Sequence, residues 1–196
     1  GMGGSALGPQ LINSALGPQN ESMRFYFLDN TDPEGIDRAI ASIDKGLAET
    51  LILIISKSGN TLETRNSMIE VRECYSKVGL DFARHAVAIT RENSQLAQLA
   101  SKEKWLACFP MWDWVGGRTS ILSSVGLLPA ALLGENVSSI LKGAKIMDEL
   151  TKCTKIKENP AAVLAWMLHH AGGGRGQKAL VMLPYKDRLI YLSPYL

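Results

Sequence analysis

The sequence has little that would favour disulfide bonds or a metal site. It contains three cysteines, Cys74, Cys108 and Cys153, which are an odd number and form no CxxC pair. This usage is typical of reduced thiols in a cytoplasmic protein. Its three histidines also lack partners at the spacings of metal ligands. The sequence therefore predicts no disulfide framework, no metal and a cytoplasmic location.

Long apolar runs and a strong excess of one charge are also absent. No run of about 18 apolar residues appears, so we expect no transmembrane helix and no membrane partner. The net charge of +2 is too small to favour nucleic acid as a partner. Apolar residues make up 46% of the 196 residues, which is enough for a sizeable core in one domain, or in one domain and part of another.

Short apolar runs alternate along the chain with longer amphipathic stretches. The continuous run at 51–55 is typical of a strand that is buried on both faces. Strand and helix in alternation predict an α/β fold, a parallel sheet flanked by helices on both faces. Ligands of such sheets bind beyond the carboxyl ends of the strands. The other predicted strands are 24–28, 86–90, 105–109 and 178–183. The predicted helices are 5–16, 32–50, 62–77, 94–101, 118–133, 137–152 and 161–171.

Two proline-containing stretches mark the ends of predicted elements. Gly17 and Pro18 predict the end of the first helix. The polar stretch 151–160 separates the last two predicted helices, and Pro160 fits the first position of the helix that follows. We place a domain boundary near residue 153, which gives one domain at 1–153 and the start of another at 154–196.

A loop rich in hydroxyls follows the buried strand directly and precedes a predicted helix. Its residues 56–64 read SKSGNTLET. The hydroxyls at 56, 58 and 61 can each donate a hydrogen bond to a phosphate oxygen, and Gly59 allows a tight turn close to an anion. A helix amino terminus adds free amides and a partial positive charge. The pattern predicts a phosphate site. The alternative is an ordinary turn rich in N-cap residues, with Thr61 capping the helix.

Two further glycine segments could contribute to a site. Residues 1–9 read GMGGSALGP, which could present amides to an anion but does not match a GxGxxG dinucleotide fingerprint. Residues 113–120 read DWVGGRTS, where two glycines could bend the backbone and present the Arg118 guanidinium to an oxyanion. A surface turn with an ordinary salt bridge explains the second segment equally well.

Five segments together resemble the glucose-6-phosphate isomerase family, which has the sugar isomerase (SIS) fold. GMGGSALGP at 1–9, SKSGNTLET at 56–64 and DWVGGRTSILSSVGL at 113–127 are similar to its glycine, phosphate and arginine segments. FLDNTDPEG at 27–35 and LPYKDRL at 183–189 also fit, in the same order along the chain. The resemblance implies a flavodoxin-like three-layer α/β/α domain followed by the start of a second SIS domain.

The resemblance also implies an activity. The family interconverts glucose 6-phosphate and fructose 6-phosphate in glycolysis and gluconeogenesis without a cofactor, by moving a proton between C1 and C2. It implies a small-molecule phosphosugar as the partner and a homodimer as the assembly. By resemblance, Ser56, Ser58 and Thr61 bind the phosphate, and Lys57 contributes its backbone amide.

Four further site residues follow from the same resemblance. Gly4 and Ser5 are expected to line the phosphate pocket. Gly117 and Arg118 are expected to face the reacting carbons, where a fixed cation would stabilise developing negative charge.

The resemblance further implies that the sequence lacks parts of the family's site. The catalytic glutamate, a ring-opening histidine and a late lysine are expected downstream of Leu196, and an apolar central first strand upstream of Gly1. Since loss of a positioned base typically costs about 10²–10⁴ in rate, we expect no competent isomerase from these residues alone. We also expect disorder or rearrangement at residues 1–8, because the missing strand leaves unpaired edges.

Two other functions fit part of the pattern. A non-catalytic SIS module that binds a phosphosugar would need residues 56–64 but neither the GGR segment nor LPYKDRL. A dinucleotide enzyme would need a strand before Gly1 and an acidic ribose contact, for which only Asp29 offers itself.

Overall fold

A parallel sheet positions the loops that carry the candidate site. The computed structural model describes residues 1–17, 23–43 and 46–196. Within them, β1 (Ile52–Ile55), β2 (Ala86–Thr90) and β3 (Ala107–Pro110) form one sheet in the order β1-β2-β3. Both strand pairs are parallel. The central strand β2 is buried along its whole length, because strands cover its edges and helices its faces. The predicted α/β fold with a parallel sheet is confirmed.

Helices flank this sheet, and most of them begin at a residue that caps the amino terminus. The side chains of Asp32, Ser94, Asn136 and Asn159 each accept a hydrogen bond from a backbone amide of the first turn. Pro160 occupies the first helical turn, as predicted. The helices are α1 (Gly4–Leu16), α2 (Pro33–Ala41), α3 (Leu62–Lys77), α4 (Gln95–Lys102), α5 (Ser124–Leu132), α6 (Val137–Thr151), α7 (Pro160–Ala171) and the short α8 (Leu192–Tyr195).

Alternate side chains of the strands pack into cores on opposite faces of the sheet. Ile54 and Ala88 face the core that contains Tyr75 of α3. Their neighbours Ile55 and Ile89 face the other core, which contains Val125 of α5. This division follows from the period-2 alternation of side chains along a strand. Since β1 contributes to both cores, the loop that follows it starts from a rigid position.

Two predicted strands are wrong. Residues 24–28 have no regular secondary structure, and the structure pairs them with no strand among the residues it describes. Residues 178–183 form no strand either, and Leu180 and Val181 are 70% and 68% exposed. An apolar run becomes a strand only where a neighbouring strand accepts its backbone hydrogen bonds. Neither segment has such a neighbour in the described residues.

Two predicted helices have different bounds. In place of one helix at 118–133, a 3₁₀ helix (Gly117–Leu122) precedes α5, whose amino terminus is capped by Ser123. In place of one helix at 32–50, α2 ends at Ala41 and a 3₁₀ helix (Leu47–Glu49) follows. Residues 44–45 of that prediction lie outside the described residues, as does Pro18, the predicted stop after α1.

A groove lies between the segment 23–28 and β1, which is the edge strand of the sheet in the described residues. It has a volume of about 410 Å³ and mostly apolar walls. Gly1 lines one part of it, and its backbone nitrogen lies 3.2 Å from the Leu28 carbonyl oxygen.

The expected disorder or rearrangement of residues 1–8 is wrong. The helix α1 begins at Gly4, and the Gly4 backbone packs against the Gly117 carbonyl. The side chain of Ser120 donates to the Gly4 carbonyl at 3.2 Å. These contacts hold the segment in place although β1 pairs with no strand on its outer edge in the part of the chain that the structure describes.

Candidate functional site

The loop after β1, residues 56–61, is called the hydroxyl loop below, and it folds around hydrogen bonds between its own hydroxyls. The buried Ser56 Oγ and Thr61 Oγ1 lie 2.9 Å apart and share a hydrogen bond, and Ser58 Oγ lies 3.4 Å from the same Thr61 oxygen. The Gly59 amide donates to Ser56 Oγ at 3.2 Å. Three hydroxyls from six consecutive positions therefore converge at the carboxyl end of β1.

Gly59 adopts a conformation that other residues reach only with strain. Its φ is +73°, in the left-handed region that favours glycine. A Cβ atom on Gly59 would lie 2.7 Å from the Ser94 side chain and 2.9 Å from the Leu96 amide nitrogen. The turn and the close approach of α4 both require glycine here, as the sequence predicted for the turn.

The amino terminus of α3 lacks the cap that the sequence suggested. Thr61 stands at the N-cap position, but its side chain makes no hydrogen bond to the amides of the first turn. It faces Ser56 and Ser58 instead. The amides of the first turn of α3 therefore keep their capacity to donate to a ligand, and the helix dipole favours an anion there.

Thr64, one turn further along α3, is a polar group that the rest of the fold leaves unsatisfied. It is only 6% exposed, and its Oγ1 has no hydrogen-bond partner among the described residues. An unpaired buried hydroxyl is costly. Since Thr64 also lines the pocket described below, a ligand there could satisfy it.

The side chain of Lys57 points away from the hydroxyls of its own loop. Its ammonium donates hydrogen bonds to the carbonyls of Asp113 at 2.7 Å and Val115 at 2.9 Å. These residues belong to the loop after β3 that leads into the GGR segment. Lys57 therefore ties two loops at the carboxyl ends of β1 and β3 together, and only its backbone remains for a ligand of the hydroxyl loop.

The start of α1 forms a wall opposite the hydroxyl loop, and it also touches the GGR segment. A Cβ atom on Gly4 would overlap the carbonyl group of Gly117, so this contact depends on glycine at position 4. Ser120 Oγ donates to the carbonyls of both glycines at 3.2 Å. The three glycine-containing segments of the sequence thus meet at one end of the sheet.

Arg118 is held by the last residues of the chain. Its guanidinium donates to the carbonyl oxygens of Pro194 and Tyr195, the latter at 3.3 Å. The Tyr195 hydroxyl accepts a hydrogen bond from the Ile121 amide at 3.0 Å. The helix α8 therefore fixes the 3₁₀ helix that carries Gly117 and Arg118.

A pocket of about 310 Å³ lies between the hydroxyl loop and the start of α1. Five of the residues predicted to bind phosphate line it, namely Ser5, Ser56, Lys57, Ser58 and Thr61. Gly4 is the direct neighbour of Ser5 but is not in the lining, and Gly117 and Arg118 are not in it either. The lining is completed by Met2, Ile55, Thr64 and Arg91.

Arg91 is the residue in this lining that sequence reasoning missed. It follows β2 directly, so the rule that ligands bind beyond the carboxyl ends of parallel strands could have found it. The search for glycine and hydroxyl motifs passed over it because it lies in neither kind of segment.

Comparisons with known proteins identify the family of the chain. The profile of the Phosphoglucose isomerase family matches residues 1–196. The chain belongs to the phosphoglucose isomerase family. It is 56% identical to a glucose-6-phosphate isomerase of Thermosynechococcus vestitus, over all of this chain and 37% of that protein. It is 57% identical to the chloroplastic glucose-6-phosphate isomerase 1 of Arabidopsis thaliana, over all of this chain and 32% of that protein.

A solved structure supports the same relationship. The crystal structure of a glucose-6-phosphate isomerase from Chlamydia trachomatis superposes with a TM-score of 0.86 at 30% identity, over 99% of this chain and 37% of that one. The chain thus spans about a third of the length of the family members it matches. Its fold is that of the phosphoglucose isomerase family.

The described residues offer neither a metal-binding cluster nor a membrane-spanning helix. They contain no group of three His, Cys, Asp or Glu side chains placed to hold a metal ion. None of their helices combines the length and the apolar character needed to cross a membrane.

Proposed function

We propose that the pocket between the hydroxyl loop and α1 binds the phosphate group of a 6-phosphosugar. The observation that carries this proposal is the convergence of the Ser56, Ser58 and Thr61 hydroxyls at a helix terminus whose first-turn amides have no side-chain cap. A phosphate dianion accepts hydrogen bonds only, so it requires a site rich in donors. Hydroxyls and helix amides together provide such donors.

The whole protein is proposed to act as a glucose-6-phosphate isomerase. Its relatives carry that name, and the sequence contains the family's segments in order. The reaction exchanges the carbonyl group between C1 and C2 of the sugar phosphate as one proton moves between these carbons. For residues 1–196 we propose the binding of the phosphate and part of the surroundings of the reacting carbons. We assign none of these residues as the base.

Arg118 is proposed to stabilise the negative charge that develops on the enediolate oxygens. It lies at the same end of the sheet as the hydroxyl loop, because its neighbour Gly117 packs against Gly4 at the start of α1. A guanidinium stays protonated at all working pH values, and a positioned cation is an effective electrostatic aid. Gly117 is proposed to let the sugar approach the backbone beside it.

The remaining expectations, drawn from the residues or from the resemblance, stay predictions. They are a reaction without a cofactor, a homodimer, a cytoplasmic location and a domain boundary near residue 153. Exposed apolar side chains on α7, such as Leu164 and Trp166, support contact with further protein, since large exposed apolar patches mark interaction surfaces.

The phosphate assignment is tested by calorimetric titration with glucose 6-phosphate. The double variant Ser58→Ala, Thr61→Ala removes two hydroxyls from the pocket and leaves the backbone intact. A hydrogen bond to a charged group contributes about 1.5–3 kcal/mol, so each lost bond is expected to weaken binding by about 10- to 100-fold.

The matched control is Ser101→Ala, Ser138→Ala, which removes two exposed hydroxyls from α4 and α6. It should bind as the parent does. Equal affinity of the pocket variant and the control would overturn the assignment of the phosphate to this loop.

A further inference from the structure

Arg91 occupies the carboxyl end of the central strand, next to the hydroxyl loop. Its backbone amide donates to the Lys57 carbonyl at 3.2 Å, which ties the end of β2 to the loop after β1. Arg91 also lines the same pocket as Ser56, Ser58 and Thr61. It therefore brings a permanent positive charge beside a set of neutral hydroxyl donors.

The other cation in the lining is committed elsewhere. The Lys57 ammonium donates to two carbonyls of the loop after β3, and the nine lining residues, all of them within the described part of the chain, include no Asp or Glu. Lys57 thus contributes little charge to a ligand at the hydroxyls. The positive charge available to the pocket is that of Arg91.

The present partner of Arg91 is weakly held. Its guanidinium lies 3.4 Å from the Asp113 carboxylate, and the two side chains are 52% and 76% exposed. Such an exposed, single-contact ion pair contributes roughly 0–1 kcal/mol. Exchange of the Asp113 carboxylate for a phosphate oxygen would therefore cost the fold little.

We propose that Arg91 is an anion-binding residue of this pocket, and that its guanidinium leaves Asp113 to bind the second negative charge of a phosphate ester. This inference rests on the proposed function and adds a selectivity to it. Hydroxyls and amides donate to a monoanion and to a dianion alike, whereas a planar guanidinium gains most from a doubly charged phosphate that it can bind through two N–H groups.

Because of this selectivity, the contribution of Arg91 to the binding affinity should depend on pH. A phosphate monoester has its second pKa near 6, so it is largely a monoanion at about pH 5 and a dianion at about pH 7.5. The Asp113 carboxylate from the loop after β3 lies 3.4 Å from the Arg91 guanidinium, and the Lys57 ammonium from the loop after β1 donates to the Asp113 carbonyl. The phosphate ester changes its charge over this pH range, and Arg91 is the residue that responds to that change.

The test compares the parent chain with Arg91→Gln by calorimetric titration of glucose 6-phosphate at about pH 5 and about pH 7.5. We expect Arg91→Gln to weaken binding about 10- to 100-fold at the higher pH, the effect of one charge-assisted interaction. At the lower pH we expect a loss of about threefold or less. The variant should also show a smaller fall in affinity with added salt.

Two control variants isolate the local effect. Arg84→Gln makes the same change in net charge at an exposed residue of the 3₁₀ helix before β2, at the opposite end of that strand, and should bind as the parent does. Asp113→Asn removes the competing carboxylate and should bind at least as tightly as the parent.

The possible outcomes separate this inference from the proposed function. If the parent binds glucose 6-phosphate and Arg91→Gln binds equally well at both pH values, the inference is wrong and the phosphate site stands. Equal losses in Arg91→Gln and Arg84→Gln, or a loss in Arg91→Gln that does not change with pH, would also overturn it. A parent that binds no phosphosugar would overturn the proposed function and this inference together.

Discussion

A substitution of Lys57 tests whether its side chain stabilises the fold while its backbone amide binds the ligand of the hydroxyl loop. The change Lys57→Met keeps the length of the side chain and the backbone amide, but it removes the ammonium. The carbonyls of Asp113 and Val115 then lose donors at 2.7 and 2.9 Å. We expect the fold to be destabilised, and phosphate binding to be nearly preserved.

The magnitude follows from the two hydrogen bonds. Each bond to a charged group contributes about 1.5–3 kcal/mol. The freed side chain regains up to about 2 kcal/mol of rotamer entropy, and partial exposure of the contacts lowers the gain further. The expected loss is therefore about 2 kcal/mol in the free energy of unfolding. For a domain of this size, that corresponds to a fall in Tm of about 4–8 °C.

The assay is urea unfolding of the two proteins, followed by calorimetric titration with glucose 6-phosphate. The matched control is Lys77→Met, since Lys77 makes an exposed pair with Glu73 at 3.9 Å. It should cost less than about 0.5 kcal/mol.

Two results would refute the reasoning about Lys57. A stability equal to that of the control would mean that the contacts with the loop after β3 contribute nothing. A folded Lys57→Met protein that has lost phosphate binding by far more than about fivefold would mean that the ammonium, and not the backbone, binds the anion.

A further prediction follows from the backbone of the hydroxyl loop. Gly59→Ala and Gly79→Ala both place a side chain at positive φ (+73° and +71°), and of these two Cβ atoms the one at 59 meets neighbours within 4 Å. The positive φ should lower the free energy of unfolding of each variant by about 1–2 kcal/mol. Gly59→Ala should be the less stable of the two and should also bind glucose 6-phosphate more weakly. Equal stability and equal binding of the two variants would contradict this.

The elements that local chemistry specifies were predictable from the sequence. The apolar run before Ser56 predicts a buried strand, and Pro160 predicts the start of α7; both agree with the structure. The hydroxyl loop was also recognisable, because hydroxyls and a glycine between a strand and a helix have few other structural explanations. These features depend on residues close together in the chain.

Pairing and direction required the tertiary structure. Residues 24–28 and 178–183 have the composition of strands, yet a strand also needs a neighbour that accepts its hydrogen bonds. Thr61 is a residue type that favours the N-cap position, but its hydroxyl forms a hydrogen bond with Ser56 instead of capping the helix. In both cases a long-range or cross-loop contact overrides the local preference.

The sequence by itself determined the fold class and the position of the hydroxyl loop, because strand burial and loop chemistry depend on consecutive residues. Only the tertiary structure decided how charge is distributed around that loop. In the structure the Lys57 ammonium donates to carbonyls of another loop, and Arg91, which follows the next strand, lines the pocket. The physical reason is that parallel strands place their carboxyl ends at one edge of the sheet, and residues 34 positions apart meet there without any local pattern that links them.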